Sequence, residues 1–262
     1  MKRKISLVLG AGGSKGLAHL GVIKALNEAG FEITQIAGTS VGALIGGLYA
    51  GKPDVKWIEE IVYSLSYRKL SKIILERPRK SALIYGNNYH NFLKKILPIK
   101  NVEDTQIPFR AVASDLVSGE KYVFNSGPLV TAISASSAIP AIFSPVEYKG
   151  MLLIDGGAID PVPVDEIEKN EKQPIVAVAL YKNLFPKDFS KLKKAGLARI
   201  AFDSMQVAVS NLSKKAIKKA DLVILPDVEN INVLDFVKAK EYVEIGYRTM
   251  KKNMDQLNKL FR

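Results

Sequence analysis

Two strand-like runs near the start of the chain, Ile5–Leu9 and Ile33–Gly38, each break off into a glycine-rich turn followed by a helix-periodic stretch. This doubled strand–glycine–helix unit constrains the fold more than any other feature. The helices read as Lys15–Ala29, closed by Gly30, and Val41–Ala50. Further runs at Phe109–Ala113, Met151–Ile154, Ile175–Leu180 and Leu222–Leu225 read as strands. Several are continuous in Val, Ile, Leu and Ala, as expected when helices cover both faces of a sheet. The pattern predicts an α/β layered domain with a largely parallel central sheet flanked by helices.

At 262 residues the chain can bury a sizeable core, and no repeat, low-complexity tract or linker divides it. One domain over 1–262 is expected. A hydrophobic share of 47% against 24% charged residues excludes intrinsic disorder. Cysteine is absent and histidine is limited to His19 and His90, which removes disulfides, thiolate nucleophiles and histidine-rich metal sites from consideration. The opening Met1-Lys2-Arg3-Lys4 followed by Ile5–Leu9 is too short in its apolar part for a signal peptide. No apolar run approaches the roughly 20 residues that span a bilayer. A cytoplasmic protein is expected, with peripheral membrane contact as an extension of that reading.

Gly38-Thr39-Ser40-Val41-Gly42 falls where the second strand gives way to its helix. G-x-S-x-G in that setting forms a sharp elbow that exposes the serine on a strained turn. Small flanking residues are needed because a Cβ on either side would collide. Ser40 is the candidate nucleophile; the bland alternative is that Gly38 and Gly42 merely end a strand and pack a helix.

The first turn, Gly10-Ala11-Gly12-Gly13-Ser14-Lys15-Gly16, is open to three uses. G-x-G-x-x-G is not completed, and no acidic residue ends the second strand to hold a ribose. A P-loop needs Gly-Lys-Ser/Thr, whereas this loop reads Ser-Lys-Gly. An oxyanion hole made by backbone N–H groups fits best, with Gly12, Gly13 and Ser14 as candidate donors and Lys15 adding positive potential. A tight turn without a ligand is the alternative.

No histidine follows residue 90, so the chain order Ser, Asp/Glu, His cannot be completed after a late carboxylate. A carboxylate must then accept the serine proton directly. Asp155, in Leu153-Ile154-Asp155-Gly156-Gly157, is the best candidate, because two glycines after a strand permit close approach of another backbone. Asp115 and Asp160 compete, with turn or capping roles as the alternative for all three.

On these residues the chain resembles the patatin-like phospholipases, in particular their short bacterial members. The resemblance rests on Gly12-Gly13-Ser14-Lys15-Gly16, Gly38-Thr39-Ser40-Val41-Gly42, Ala135-Ser136-Ser137-Ala138-Ile139-Pro140, Asp155-Gly156-Gly157 and Asp160-Pro161-Val162-Pro163. It implies a patatin-like fold and a Ser–Asp dyad, Ser40 with Asp155, that cleaves acyl esters without metal or other cofactor. It also implies that Gly12 and Gly13 are the oxyanion donors. Gly16, Gly38, Gly42, Gly156 and Gly157 support the motifs. Ala11 departs from the pattern, standing where the family usually has the first glycine of its loop.

The formal net charge of +12 is concentrated in two places. Residues 65–100 hold nine Lys/Arg against one Glu, and residues 182–219 hold ten Lys/Arg against two Asp. Such clusters suit an anionic surface. The stretch 65–100, interrupted by Pro78, reads as a basic cap inserted into the domain. Expected partners are a lipid or other acyl ester as substrate and an anionic membrane at the periphery. Without a zinc-finger or RRM-type signature, nucleic acid is not expected. Two other functions share these features: a membrane-surface-binding protein with a vestigial dyad, and an acyltransferase that passes the acyl group to an acceptor other than water.

Overall fold

The computed structural model describes residues 3–65, 86–140, 142–181, 193, 196–228 and 236–262. Among them eight strands form one sheet: β1 (Arg3–Leu9), β2 (Phe31–Thr39), β3 (Phe109–Asp115), β4 (Lys121–Phe124), β5 (Val146–Tyr148), β6 (Met151–Asp155), β7 (Ile175–Val178) and β8 (Leu222–Ile224). Their order is β5-β6-β3-β2-β1-β7-β8, with β4 pairing β3 off that path. The run from β3 through β2, β1 and β7 to β8 is parallel. Only β4, β5 and β6 pair antiparallel. The largely parallel sheet read from the sequence is therefore the sheet observed, with an antiparallel margin that the sequence pattern did not reveal. β4 and β5 were missed because they are short, four and three residues, and only partly buried.

The helices are α1 (Ala18–Glu28), α2 (Val41–Gly51), α3 (Val55–Tyr63), α4 (Asn87–Ile96), α5 (Leu129–Ser136), α6 (Leu197–Ala216), α7 (Ala239–Lys252) and α8 (Met254–Lys259). A 3-10 turn, Gly13–Leu17, precedes α1. Alternation along β1 shows why its run is apolar throughout. Ile5, Leu7 and Leu9 enter the larger core, with α1, α2 and α7, whereas Val8 enters a second core with Val162, Ile175 and Ala177. Burial on both faces removes the need for a polar alternate position.

α7 seals α1 from outside by backbone contact. A Cβ on Gly21 would lie 1.8 Å from the Val243 carbonyl oxygen, and one on Gly246 would lie 1.9 Å from that of Ala18. Glycine at each crossing point lets the two helices touch main chain to main chain.

Of the basic cap expected at 65–100, residues 66–85 lie outside the described residues; 87–96 form α4, whose Leu93 is buried in the larger core. In the second basic stretch, residues 182–192 also lie outside them, and α6 occupies most of the remainder.

Pairing along β3 positions the site. Thr39 of β2 pairs with Val112, and Asp155 of β6 pairs with Ala113. Two strands distant in sequence thus end at consecutive residues of a third, which brings Ser40 and Asp155 together.

Candidate active site

Ser40 has φ 59° and ψ −124°, and only one other described non-glycine residue, Lys149, has positive φ. Holding an L-residue there costs on the order of 1–3 kcal/mol, which persists only where surrounding structure enforces it. Enforcement is visible on every side. A Cβ on Gly38 would meet the Gly42 carbonyl oxygen at 2.5 Å, and one on Gly42 would meet that of Leu9 at 2.0 Å. The Ser40 amide donates to Ser136 Oγ at 2.8 Å, and Ser136 Oγ donates to the Val112 carbonyl at 2.6 Å. Ser136, fully buried at the end of α5, thereby ties the elbow to β3.

Ser40 Oγ donates to Asp155 Oδ2 at 2.6 Å. The other carboxylate oxygen accepts the Gly157 amide at 2.7 Å. The Asp155 main chain is fixed too: its amide donates to the Ala138 carbonyl at 2.9 Å, and Ser114 Oγ donates to its carbonyl at 3.1 Å. Gly156 lets this loop reach β3, since a Cβ there would lie 2.2 Å from the Val112 carbonyl oxygen. Burial raises the Asp155 pKa to about 6, against the opposing hydrogen bonds from Ser40 and Gly157. Two phenols flank this carboxylate. Burial and the negative charge of Asp155 push Tyr181 up, and the same two causes, opposed by the Ser137 hydroxyl beside it, bring Tyr89 to about 12. Both phenols therefore stay protonated at neutral pH, and neither adds charge to the dyad.

Ala11, Gly12 and Gly13 line a cavity together with Ser40, Asp155 and Gly157. Gly13 has φ 58°, the left-handed region that favours glycine. Gly12 is extended, and glycine is required there for space: a Cβ would lie 2.3 Å from Leu180 Cδ1. Ala11 is absent from the positive-φ residues, so the loop accepts an alanine at that position without strain. Its amide donates to the Pro161 carbonyl at 2.8 Å. Ser14 is fully buried and does not line the cavity. Lys15 is buried with its ammonium 5.9 Å from the Tyr181 ring centroid. Gly16 seats the loop on α2, where a Cβ would overlap Val41 at 2.0 Å.

The competing carboxylates lie in other networks. Asp115 accepts from the amides of Val117, Ser118 and Leu152 and from Ser118 Oγ, organising the turn after β3. Asp160 pairs with Lys121 at 2.9 Å, and Lys121 also meets Glu166. His19 Nε2 lies 2.7 Å from the Gly10 carbonyl oxygen inside the core, where burial lowers its pKa to about 4. His90 Nδ1 lies 3.2 Å from Ser134 Oγ, and burial followed by the charge of Lys94 lowers its pKa.

The remaining wall comes from Ile139, from Tyr181 and from α6 through Met205, Gln206 and Val209. Sequence reasoning missed Gln206 and the two tyrosines, because no local motif marks them. Ser136 stood in the sequence only as part of the motif at 135–140, with no role attached to it.

The site thus joins a strained elbow serine to a buried carboxylate at the ends of strands in a mostly parallel sheet. A sequence model of the family described as Patatin-like phospholipase matches residues 7–167, and the chain belongs to that family. It is 37% identical over 180 residues to an uncharacterized NTE family protein of Mycobacterium tuberculosis, covering 68% of this chain and 49% of that protein. Lysophospholipase NTE1 of Kluyveromyces lactis is 30% identical over 271 residues, covering 93% of this chain and 18% of its own length. The chain thus spans about half the length of the mycobacterial relative and under a fifth of the yeast one. Among solved structures, VipD from Legionella pneumophila shares the fold with a TM-score of 0.56 at 16% identity, over 97% of this chain and 67% of VipD. Among the described residues no helix is long and apolar enough to cross a membrane.

Proposed function

We propose that this chain is a serine acyl hydrolase of lipid esters that works through Ser40 and Asp155. The observation that carries this reading is the 2.6 Å hydrogen bond from Ser40 Oγ to Asp155 Oδ2 at a strained elbow. Membership of the patatin-like phospholipase family supports lipid esters as the substrate class.

In the first half-reaction Ser40 Oγ attacks the ester carbonyl while its proton passes to Asp155. The carbonyl oxygen takes the electron pair, and the amides of Gly12 and Gly13 stabilise the resulting charge. Collapse breaks the bond to the alcohol, which leaves with the proton from Asp155, and an acyl-Ser40 ester remains. In the second half-reaction water gives a proton to Asp155 and attacks the acyl carbon. The fatty acid departs, and Ser40 regains its proton.

The raised pKa suits this task, because a carboxylate with an ordinary pKa would accept a serine proton less readily than one raised to about 6. Fluorophosphonate labelling tests the nucleophile: a hydrolase carries the label on Ser40. A protein that binds membranes with a vestigial dyad would carry none. A lipid-panel assay comparing wild type with Ser40→Ala then identifies the ester class, and added alcohol acceptors separate a hydrolase from an acyltransferase.

A further inference from the structure

The cavity beside Ser40 contains a polar side chain, Gln206, that the proposed chemistry does not use. Gln206, on α6, is 9% exposed and lines the cavity together with Tyr181, Met205 and Val209. Burial and the charge of Asp155 raise the Tyr181 pKa, and the nearby Gln206 amide opposes them. One end of that amide has no hydrogen-bonding partner in the protein. Oxygen and nitrogen of a glutamine amide can exchange places without changing its shape, so the free end is a donor or an acceptor. In either orientation one polar end of this cavity-lining side chain is unpaired.

A buried, unpaired amide end is costly to leave unmatched, and a hydrogen bond from a bound molecule recovers that cost. What that molecule presents follows from its parts. A fatty acyl chain carries no hydrogen-bonding atom beyond its carbonyl, and the carbonyl oxygen belongs to the Gly12 and Gly13 amides. The residues around Gln206 that would meet the chain, Ile139, Met205 and Val209, are apolar. A polar group in this wall therefore serves either the alcohol half of the ester or the water of deacylation. Tyr181 and Gln206 line the same cavity as Ser40 and Asp155.

We propose that Gln206 is a specificity residue that hydrogen-bonds a free hydroxyl on the alcohol half of the ester, making this a site for partially acylated polyols. The proposal rests on the hydrolase reading above. A neutral amide can serve a neutral hydroxyl as either donor or acceptor, and it adds no charge next to Asp155. Because the side chain is already buried in the wall, little side-chain entropy is lost when the hydroxyl binds.

The test compares two esters of one acyl chain, monooctanoylglycerol and methyl octanoate, with wild type, Gln206→Leu and Gln206→Asn. Gln206→Leu keeps similar volume, so melting curves should stay near wild type. The expected result is a loss in kcat/KM of roughly 5- to 100-fold on monooctanoylglycerol and little change on methyl octanoate. Gln206→Asn, one methylene shorter, should fall between wild type and Gln206→Leu on the glycerol ester only. A uniform loss on both esters would assign Gln206 to the deacylating water or to structure and overturn the proposal, as would no loss on either. If wild type cleaves neither ester, the hydrolase reading fails and this proposal fails with it. If wild type cleaves both and the variant does not discriminate, only the role of Gln206 is lost.

Discussion

The two sides of the cavity are built by different means. On the side of the sheet, main chain does the positioning. Gly38, Gly42 and Gly156 sit where a Cβ would strike a carbonyl oxygen at 2.5 Å or less, and both carboxylate oxygens of Asp155 are bonded. On the side of α6, side chains make the wall, and buried polar atoms of Gln206 and Ser210 lack protein partners. The difference teaches where each property resides. Ser40 and Asp155, the proposed reacting groups, are held by backbone that cannot shift without disturbing the sheet, whereas the α6 wall can be rewritten by single side chains. Loss of reactivity and change of selectivity should therefore map to opposite sides.

The largest effect that could break this division is at Ser40. Ser40→Ala should lower turnover on any acyl ester by about 10⁴- to 10⁶-fold while leaving circular dichroism and melting unchanged. A folded variant that keeps more than a tenth of wild-type turnover would move the nucleophile elsewhere.

Asp155→Asn should cost on the order of 10²- to 10⁴-fold in kcat. Its effect on stability has the opposite sign. The folded pKa, about 6, lies above the ordinary 3.8, so the folded state holds its proton more tightly than the unfolded state does. Burying the ionised carboxylate thus costs stability, a cost that is absent below pH 3.8 and complete above pH 6. By the size of that shift it is about 3 kcal/mol. Asp155→Asn should melt higher than wild type at pH 8 and lose its advantage towards pH 4. Thermal scans at both pH values check this, and a lower melting temperature at pH 8 would contradict it.

Gly42→Ala sharpens the backbone argument. A Cβ 2.0 Å from the Leu9 carbonyl oxygen must push α2 from β1, for a loss of about 1–3 kcal/mol or more in urea unfolding. Ala11→Gly, in the neighbouring loop, relieves nothing, because Ala11 already sits at ordinary φ. Its unfolding free energy should change by less than about 1 kcal/mol.

The smallest effect expected is at the histidines. Below pH 6, kcat/KM should fall about tenfold per pH unit as Asp155 takes up a proton and can no longer accept that of Ser40. A limb near 6 would ordinarily suggest histidine, yet burial lowers His19 to about 4, and His90 is lowered as well. His19→Gln and His90→Gln, singly and together, should keep activity within about tenfold and leave the limb in place. A well-folded histidine variant as inactive as Asp155→Asn would refute the dyad. His19 bonds the loop main chain at Gly10, so its folding must be checked first.

The sequence by itself determined the parts whose cause is local. Strand–glycine–helix punctuation around Ser40 fixed the elbow, because only glycine tolerates the carbonyl contacts at 38 and 42, and uninterrupted apolar strands announced a sheet covered on both faces. Asp155 could be nominated by elimination and by the two glycines after it. Its distance from Ser40 could not be read, since it depends on β2 and β6 ending at adjacent residues of β3, a register set by strand pairing between segments far apart in sequence. It took the tertiary structure to show that Ser136 clamps the elbow, that Asp115 and Asp160 belong to other networks, and that Gln206 lines the cavity beside Ser40. A hydroxyl or an amide carries no local mark of its partner. Burial and the partner's position decide whether it packs, clamps or waits for a substrate, and those arise when distant segments meet.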